Sequence, residues 1–276
     1  MSTQLSIACL QYTSTKDEIK TLETINNLII KAIKLGAEFI ALPECATSLQ
    51  ENSNVTRQLA SFEEESLSLK FLKKTAKSNA IYILVGSLPI KQKSKLVNRS
   101  FLINPQGEVI YRYDKIHLFD VQLPNGDIFK ESKTYLNGKK ATIAKIKEKK
   151  LNIGMTICYD VRFPNLYQDL AENGANVITI PSAFSAVTGP IHWHTLLKAR
   201  AIETGCFIIA PAQTGLHECG RKSYGHSLII SPWGKILADG GKKVGFVFSK
   251  INLDEVEKFR KSIPSLYSKQ KYSTNF

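Results

Sequence analysis

Short unbroken apolar runs alternate along this chain with longer stretches in which apolar residues recur every three or four positions. The first pattern predicts buried strands, the second amphipathic helices. Gln4 to Leu10 predicts the opening strand. Ile19, Leu22, Ile25, Ile29, Ala32 and Ile33 then fall at helical spacing, with Thr15-x-x-Glu18 as a capping box, Asp17 in the first turn and Gly36 as the stop. Phe39 to Leu42 predicts a short buried strand, and Ser61-x-x-Glu64 a second capping box before a helix burying Leu67, Phe71 and Leu72. Ile81 to Gly86 reads as a parallel-type strand. Val97 to Ile103 and Glu108 to Tyr113 read as a hairpin around Asn104-Pro105-Gln106-Gly107.

The segment from Val121 to Gly138 is polar and predicts a loop. Ala141 to Ile146 and Leu151 to Cys158 predict strands, and Phe163 to Asn173 a helix ended by Gly174. Asn176 to Ile180 is the next strand, and a helix opened by Pro190 carries His192, Trp193, Leu196, Leu197, Arg200 and Glu203. Cys206 to Ala210 predicts a buried strand. Tyr224 to Ser231 and Lys235 to Leu237 predict a hairpin around Pro232-Trp233-Gly234, and Gly245 to Leu253 the last strand. A helix from Asp254 fades before Pro264. Strand and helix alternate throughout, which indicates an α/β fold. No linker or repeat interrupts the 276 residues, so they are read as one domain with residues 264–276 as a tail.

Composition narrows the partners. There are 37 Lys+Arg against 24 Asp+Glu, for a net charge of +13. The lysines are scattered, and the densest run, Lys145 to Lys150, reads as a strand end and turn. With no zinc-finger spacing and no RNA-binding aromatic motif, this is a lysine-rich solvated surface and not a nucleic-acid interface. The five cysteines are odd in number and contain no Cys-x-x-Cys pair, which fits a reducing compartment. No basic segment followed by a long apolar run opens the sequence, and no apolar run reaches the length of a membrane span. The expectation is a cytoplasmic protein without a membrane partner.

Three polar residues stand where apolar strands end. Glu44 follows Ala41-Leu42-Pro43, and a carboxylate there must be solvated, paired or functional. Lys115 ends the second strand of the Asn104–Gly107 hairpin, in Asp114-Lys115-Ile116-His117; were the strand to continue, Lys115 and His117 would share a face. Cys158 ends the run from Leu151, just before a helix, where positive potential from a helix N-terminus lowers a thiol pKa. In a parallel sheet, strand C-termini gather on one edge, so the three can converge. A carboxylate can take a thiol proton and later activate water, and a lysine can stabilise a thiolate and a developing oxyanion. The N–H of Tyr159, directly after the cysteine, is a second oxyanion donor. Without such convergence, Lys115 is an ordinary surface lysine and Cys158 a packing residue.

These motifs resemble those of the nitrilase superfamily of carbon–nitrogen hydrolases. Ala41-Leu42-Pro43-Glu44 matches its glutamate motif, Tyr111 to Asp120 its lysine motif, and Ile157 to Pro164 its cysteine motif. Glu131, in Phe129-Lys130-Glu131-Ser132-Lys133, falls where many members carry a second glutamate that helps to hold lysine and substrate. The resemblance implies a four-layer α-β-β-α sandwich and a Glu44-Lys115-Cys158 triad that cleaves an amide through a thioester. It also implies dimers formed through the helices around Asn165 to Asn173 and His192 to Glu203.

Pro181-Ser182-Ala183-Phe184, Thr188-Gly189-Pro190-Ile191-His192-Trp193, Arg200-Ala201-Ile202-Glu203-Thr204 and Tyr224-Gly225-His226-Ser227 are similar to the amidase branch that hydrolyses deaminated glutathione and, in close relatives, α-ketoglutaramate. Both substrates are anionic. Phe184, Thr188 and His192 are therefore candidate pocket residues. Arg162, Arg200 and His226 would suit carboxylate binding; Arg162 and Arg200 would equally serve as structural partners of Asp160 and Glu203. Relatives of this branch usually carry glutamate directly after the His-Trp pair, where this chain has His194, which bears on substrate choice. No cofactor or metal is implied, because His192-x-His194 places its histidines on different helix faces. A nitrilase or carbamoylase with the same triad, or a catalytically silent interaction protein with this fold, are the alternative readings. The intact triad argues against the silent one.

Overall fold

The structure is a computed structural model in which residues 3–268 and 270–274 are described. Part of the tail, at Lys269, Asn275 and Phe276, lies outside the described residues. In chain order the strands are β1 (Gln4–Gln11), β2 (Phe39–Ala41), β3 (Tyr82–Gln92), β4 (Lys95–Ile103), β5 (Val109–Asp114), β6 (Asp120–Gln122), β7 (Ile128–Lys130), β8 (Thr142–Ile146), β9 (Leu151–Met155), β10 (Val177–Thr179), β11 (Phe207–Ala210), β12 (Thr214–Leu216), β13 (Lys222–Tyr224), β14 (Leu228–Ile230), β15 (Ile236–Asp239) and β16 (Gly245–Asn252). The helices are α1 (Glu18–Lys34), α2 (Ser53–Leu59), α3 (Leu67–Asn79), α4 (Pro164–Glu172), α5 (Gly189–Thr204) and α6 (Asp254–Ser262).

Two six-stranded sheets form the centre, in the orders β16-β1-β2-β3-β4-β5 and β15-β14-β11-β10-β9-β8. Side chains alternate faces along a strand, and β1 shows the consequence. Ala8 and Leu10 join a core with Leu22, Ile25 and Ile29 of α1 and Leu69 and Leu72 of α3. Ile7 and Cys9 face the other way, into a core shared with Ile153, Val177 and Phe207 of the second sheet, which continues through Ile178 and Ile208 to Leu166 of α4 and Trp193 and Leu197 of α5. The layers are therefore helix, sheet, sheet, helix, as the α-β-β-α expectation had it.

Within each sheet the central three strands are parallel: β1, β2 and β3 in one, and β9, β10 and β11 in the other. Their C-terminal ends lie on one edge, and chain leaving β2, β9 and β10 there delivers Glu44, Cys158 and Ala183. The register of β3 shifts between Val85 and Leu88. In that irregularity a Cβ on Gly86 would stand 2.1 Å from the Leu42 carbonyl oxygen and 2.3 Å from that of Pro43. Only glycine lets the Pro43-Glu44 segment cross so closely. Ser87 then accepts the Cys45 N–H on its hydroxyl (3.1 Å) and the Ala46 N–H on its carbonyl (2.9 Å).

Several local expectations are corrected. Asp17, not Thr15, caps α1, accepting the N–H groups of Ile19 and Lys20, while the Glu18 carboxylate turns to the Ser68 N–H of α3. Ser66, not Ser61, caps α3, because a turn over Phe62–Glu65 intervenes; Leu67 then falls in the exposed first turn. The strand β5 stops at Asp114, so Lys115 and His117 go to different partners and not to one face. The expected loop from Val121 holds the small β6–β7 hairpin, and β12–β13 makes another that the apolar pattern does not announce. Helix α2 went unpredicted because none of its residues is buried, which leaves no apolar period to read.

Candidate active site

Glu44 enters the site on a short arm after β2. It is 5% exposed, and its two oxygens are fully engaged. Oε1 accepts from Lys115 Nζ at 2.8 Å and from the Asn98 amide at 3.1 Å, and Oε2 accepts the Ala183 N–H at 2.9 Å. The next residue, Cys45, has φ 53°, a left-handed conformation costly for a residue with a Cβ. The turn that aims Glu44 inward is thus held in a strained form by its bonds to Ser87.

Lys115 is buried at the end of β5, and its main-chain N–H is tied to Asn98 O at 2.9 Å. Its ammonium bridges Glu44 and Glu131, the latter at 2.9 and 3.2 Å. Glu131 in turn accepts the Phe119 N–H at 2.6 Å and the Asn98 amide at 3.1 Å. One asparagine therefore spaces the two carboxylates across the lysine. Asn98 escaped the sequence reading because a polar residue inside a strand carries no motif of its own.

Cys158 opens a short 3₁₀ turn over Cys158–Arg162, with φ 46°. Its N–H donates to Pro181 O at 3.0 Å, and the Asp160 N–H donates to Ile157 O at 3.1 Å. The Tyr159 N–H between them belongs to the first turn, where N–H groups lack an intrahelical acceptor. The thiol feels the charge of the Glu44 carboxylate directly. Asp160, fully buried, ties this turn to the lysine segment. It accepts from the Tyr113 hydroxyl (2.8 Å), the His117 N–H (3.0 Å) and the Ile157 N–H (2.9 Å).

Electrostatics set the resting protonation. Burial raises the Glu44 carboxyl, but the charge and hydrogen bond of Lys115 outweigh it and hold Glu44 below its ordinary value. Burial lowers the Lys115 ammonium, yet the charges of Glu131 and Glu44 hold it well above the usual lysine range. Burial and the Glu44 charge push the Cys158 thiol well above 9.0, with Lys115 only partly opposing them. This corrects the expectation of a thiol pKa lowered by a helix N-terminus: a five-residue turn does not offset a buried carboxylate neighbour. The resting set is a thiol, a carboxylate and an ammonium.

A cavity opens beside this cluster. Glu44, Lys115, Glu131, Phe119 and Phe129 line it, together with Ser53 and Thr56 of α2 and its cap Asn52. An Arg57 guanidinium bond to Lys133 O anchors α2 to the Glu131 loop. Arg221 also lines the cavity; its guanidinium lies 5.4 Å from the Phe129 ring centroid and pairs with no carboxylate among the described residues. Sequence reasoning missed it, since a lone arginine in a turn looks like any surface cation.

The other expected residues sit around, not on, that lining. Arg162 stands over the rings of Tyr159 (5.9 Å) and Phe184 (5.6 Å) and lies 3.2 Å from His192 Nδ1. Tyr159 meets Phe119 edge-on at 5.1 Å, which joins this group to the cavity wall. Thr188 stands at the start of α5, its carbonyl accepting the His192 N–H. For Arg200 the structural alternative holds and not carboxylate binding: it is 5% exposed, donates to Val161 O at 2.9 and 3.0 Å and pairs with Glu203 at 2.7 Å, so its guanidinium is spent on structure. His226 likewise turns to Asp239, at 2.9 Å, and not to the cavity.

The carbon–nitrogen hydrolase family model matches residues 6–261. A deaminated glutathione amidase of Synechocystis is 41% identical over 262 residues, 94% of this chain and 96% of its own length. The crystal structure of the C. elegans NitFhit protein superposes with a TM-score of 0.90 at 34% identity, covering 98% of this chain; this chain spans 66% of that one. Saccharomyces cerevisiae Nit3, a member of branch 10 of the nitrilase superfamily, gives a TM-score of 0.86 at 30% identity, covering 97% of this chain and 96% of its own. The layered sheets, the strand-end cluster and these likenesses converge: this chain belongs to the carbon–nitrogen hydrolase family of the nitrilase superfamily.

Proposed function

We propose that this amidase hydrolyses deaminated glutathione to 2-oxoglutarate and cysteinylglycine, with Cys158 as nucleophile, Glu44 as general base and acid, and Lys115 as electrostatic stabiliser. The observation that carries the reading is the shared network in which one Glu44 carboxylate faces both the Lys115 ammonium and the Cys158 thiol. As sulfur attacks the amide carbon, the thiol proton passes to Glu44. The oxyanion that forms takes hydrogen bonds from Lys115 Nζ and the Tyr159 N–H. Glu44 returns its proton to the leaving nitrogen as the C–N bond breaks, and a thioester remains. Glu44 then removes a proton from water as the water oxygen attacks the thioester carbon. Collapse of that intermediate expels the Cys158 thiolate, which regains the proton. The chain's own groups and water serve every step.

Cationic groups support an anionic substrate: Arg221 and Lys130 at the cavity, and Arg162 behind Tyr159. The amidase activity named for the Synechocystis relative supports the choice of deaminated glutathione. In this reading the chain acts as one domain in a reducing, cytoplasmic setting; among the described residues no helix is long and apolar enough to cross a membrane. A homodimer formed through α4 and α5 accounts for the exposure of Ile191 (74%) and Ile202 (45%) on α5.

The test is release of 2-oxoglutarate from deaminated glutathione and from α-ketoglutaramate by the wild type and by Cys158→Ala. Efficient release from deaminated glutathione, lost in the variant, is expected. Preference for α-ketoglutaramate would overturn the substrate choice, and near-normal turnover by Cys158→Ala would overturn the mechanism.

A further inference from the structure

We propose that His194, His226 and Asp239 form a binding site for a divalent transition-metal ion, separate from the catalytic cavity. The three residues come from distant parts of the chain: α5, the turn before β14, and the end of β15. One ligand atom from each lies within 4.8 Å of the other two. His194 Nε2 is 3.2 Å from Asp239 Oδ2, and His226 Nδ1 is 2.9 Å from Asp239 Oδ1. Ligands about 2.0–2.1 Å from a tetrahedral ion stand roughly 3.3 Å apart, so both separations are already near coordination spacing. An ion would replace the hydrogen bonds that both imidazoles make to Asp239. Each imidazole would turn a lone pair to the metal and carry its proton on the other ring nitrogen.

The ligands are also held in place, as metal ligands usually are by their outer partners. Asp239 Oδ1 accepts the Gly241 N–H at 2.8 Å. His226 sits at φ 55°, its N–H bonded to Gly241 O at 2.6 Å and its carbonyl accepting the buried Trp193 indole N–H at 2.7 Å. Its ring stacks on Tyr224, with centroids 4.5 Å apart. Two imidazoles and one carboxylate select zinc, cobalt, nickel or copper over the oxygen-seeking magnesium and calcium. Three protein ligands leave a position for water. None of the three lines the cavity, and the ion would stitch α5 to the β14–β15 hairpin. The site departs from the expectation of no metal, which weighed only histidines close in sequence.

The test is a Co²⁺ titration of the full chain followed by visible absorption, with Zn²⁺ and Mg²⁺ as competitors. Expected is one ion per chain with a Kd below about 100 μM, ligand-field bands without thiolate charge transfer, displacement by Zn²⁺ and none by Mg²⁺. His194→Ala, Asp239→Asn and His226→Asn each weaken binding at least about tenfold, while Cys158→Ala leaves it unchanged. Asparagine at 226 tolerates the left-handed backbone, and His194→Ala, on a partly exposed helix face, keeps the test readable should the other variants misfold. Binding weaker than about 100 μM, affinity unchanged in His194→Ala and Asp239→Asn, or thiolate-dominated spectra lost in Cys158→Ala would each overturn the proposal.

Discussion

The carboxylate of Asp160 holds His117 twice, accepting its main-chain N–H at 3.0 Å and facing its Nδ1 at 2.7 Å. A carboxylate only accepts, so Nδ1 carries the proton in this pair. The bond joins the turn that presents Cys158 to the segment that presents Lys115, as does the bond of the Tyr113 hydroxyl to the same carboxylate. Stacking of the His117 ring on Phe163, with centroids 3.6 Å apart, fixes the same junction from the other side.

Asp160→Asn should therefore cost both stability and rate. An amide nitrogen would confront N–H donors that the carboxylate now accepts, at about 1–3 kcal/mol for the buried mismatch. Chemical denaturation should show that loss, and kcat should fall about tenfold or more because nucleophile and cation lose their common anchor. Unchanged kcat in a destabilised variant would confine Asp160 to folding.

Gly86→Ala tests the crossing of β3 beneath the glutamate arm. The added Cβ would meet the Leu42 and Pro43 carbonyls at 2.1 and 2.3 Å, so backbone must shift. Because that backbone carries Glu44, kcat should fall about a hundredfold, well beyond the effect of Gly245→Ala, where a Cβ meets nothing within 4 Å and the backbone is not left-handed. Comparable activity of the two variants would contradict the geometry.

The thiol state predicts a pH signature. Cys158 is held well above its ordinary value, so it remains protonated at neutrality and its thiolate fraction climbs with pH. Alkylation of Cys158 by iodoacetamide should rise about tenfold per unit between about pH 7 and 9 without a plateau. Glu44→Gln removes a charge that raises the thiol pKa, so alkylation at fixed pH should quicken while amide turnover falls by a factor of about 10² or more. Slower alkylation in that variant, or a plateau below pH 8, would contradict a resting thiol.

Arg221→Met tests the unpaired cavity cation. Methionine keeps much of the contact with Phe129 but removes the charge. With an anionic amide, KM should rise about tenfold while kcat changes little, the pattern of lost uniform binding. A neutral amide of similar size should show no such change. Equal effects on both substrates would assign Arg221 to packing.

Much of this protein is written in its apolar pattern, because buried strands and amphipathic helices are dictated by which residues must leave water. The alternation of strands and helices, the strand ends at Glu44 and Lys115, and the motif around Cys158 were legible for that reason. The bonding of Lys115 between Glu44 and Glu131 was expected only from the family resemblance and not from the apolar pattern, since side chains so far apart in sequence meet only through the tertiary fold. Asn98 and Arg221 had no sequence signal: each is a common polar residue whose role exists only relative to its partners. Asp160 stood inside the cysteine motif as an expected partner of Arg162, but the fold gives its carboxylate to Tyr113, His117 and Ile157 instead. Arg200 shows the converse, a cation whose type suited carboxylate binding until the fold spent it on Val161 and Glu203. The thiol state of Cys158 was likewise decided by burial and by a carboxylate from another strand. Residue type and period determine local structure and available chemistry; convergence, desolvation and protonation belong to the tertiary fold, because they depend on distances the linear chain does not contain.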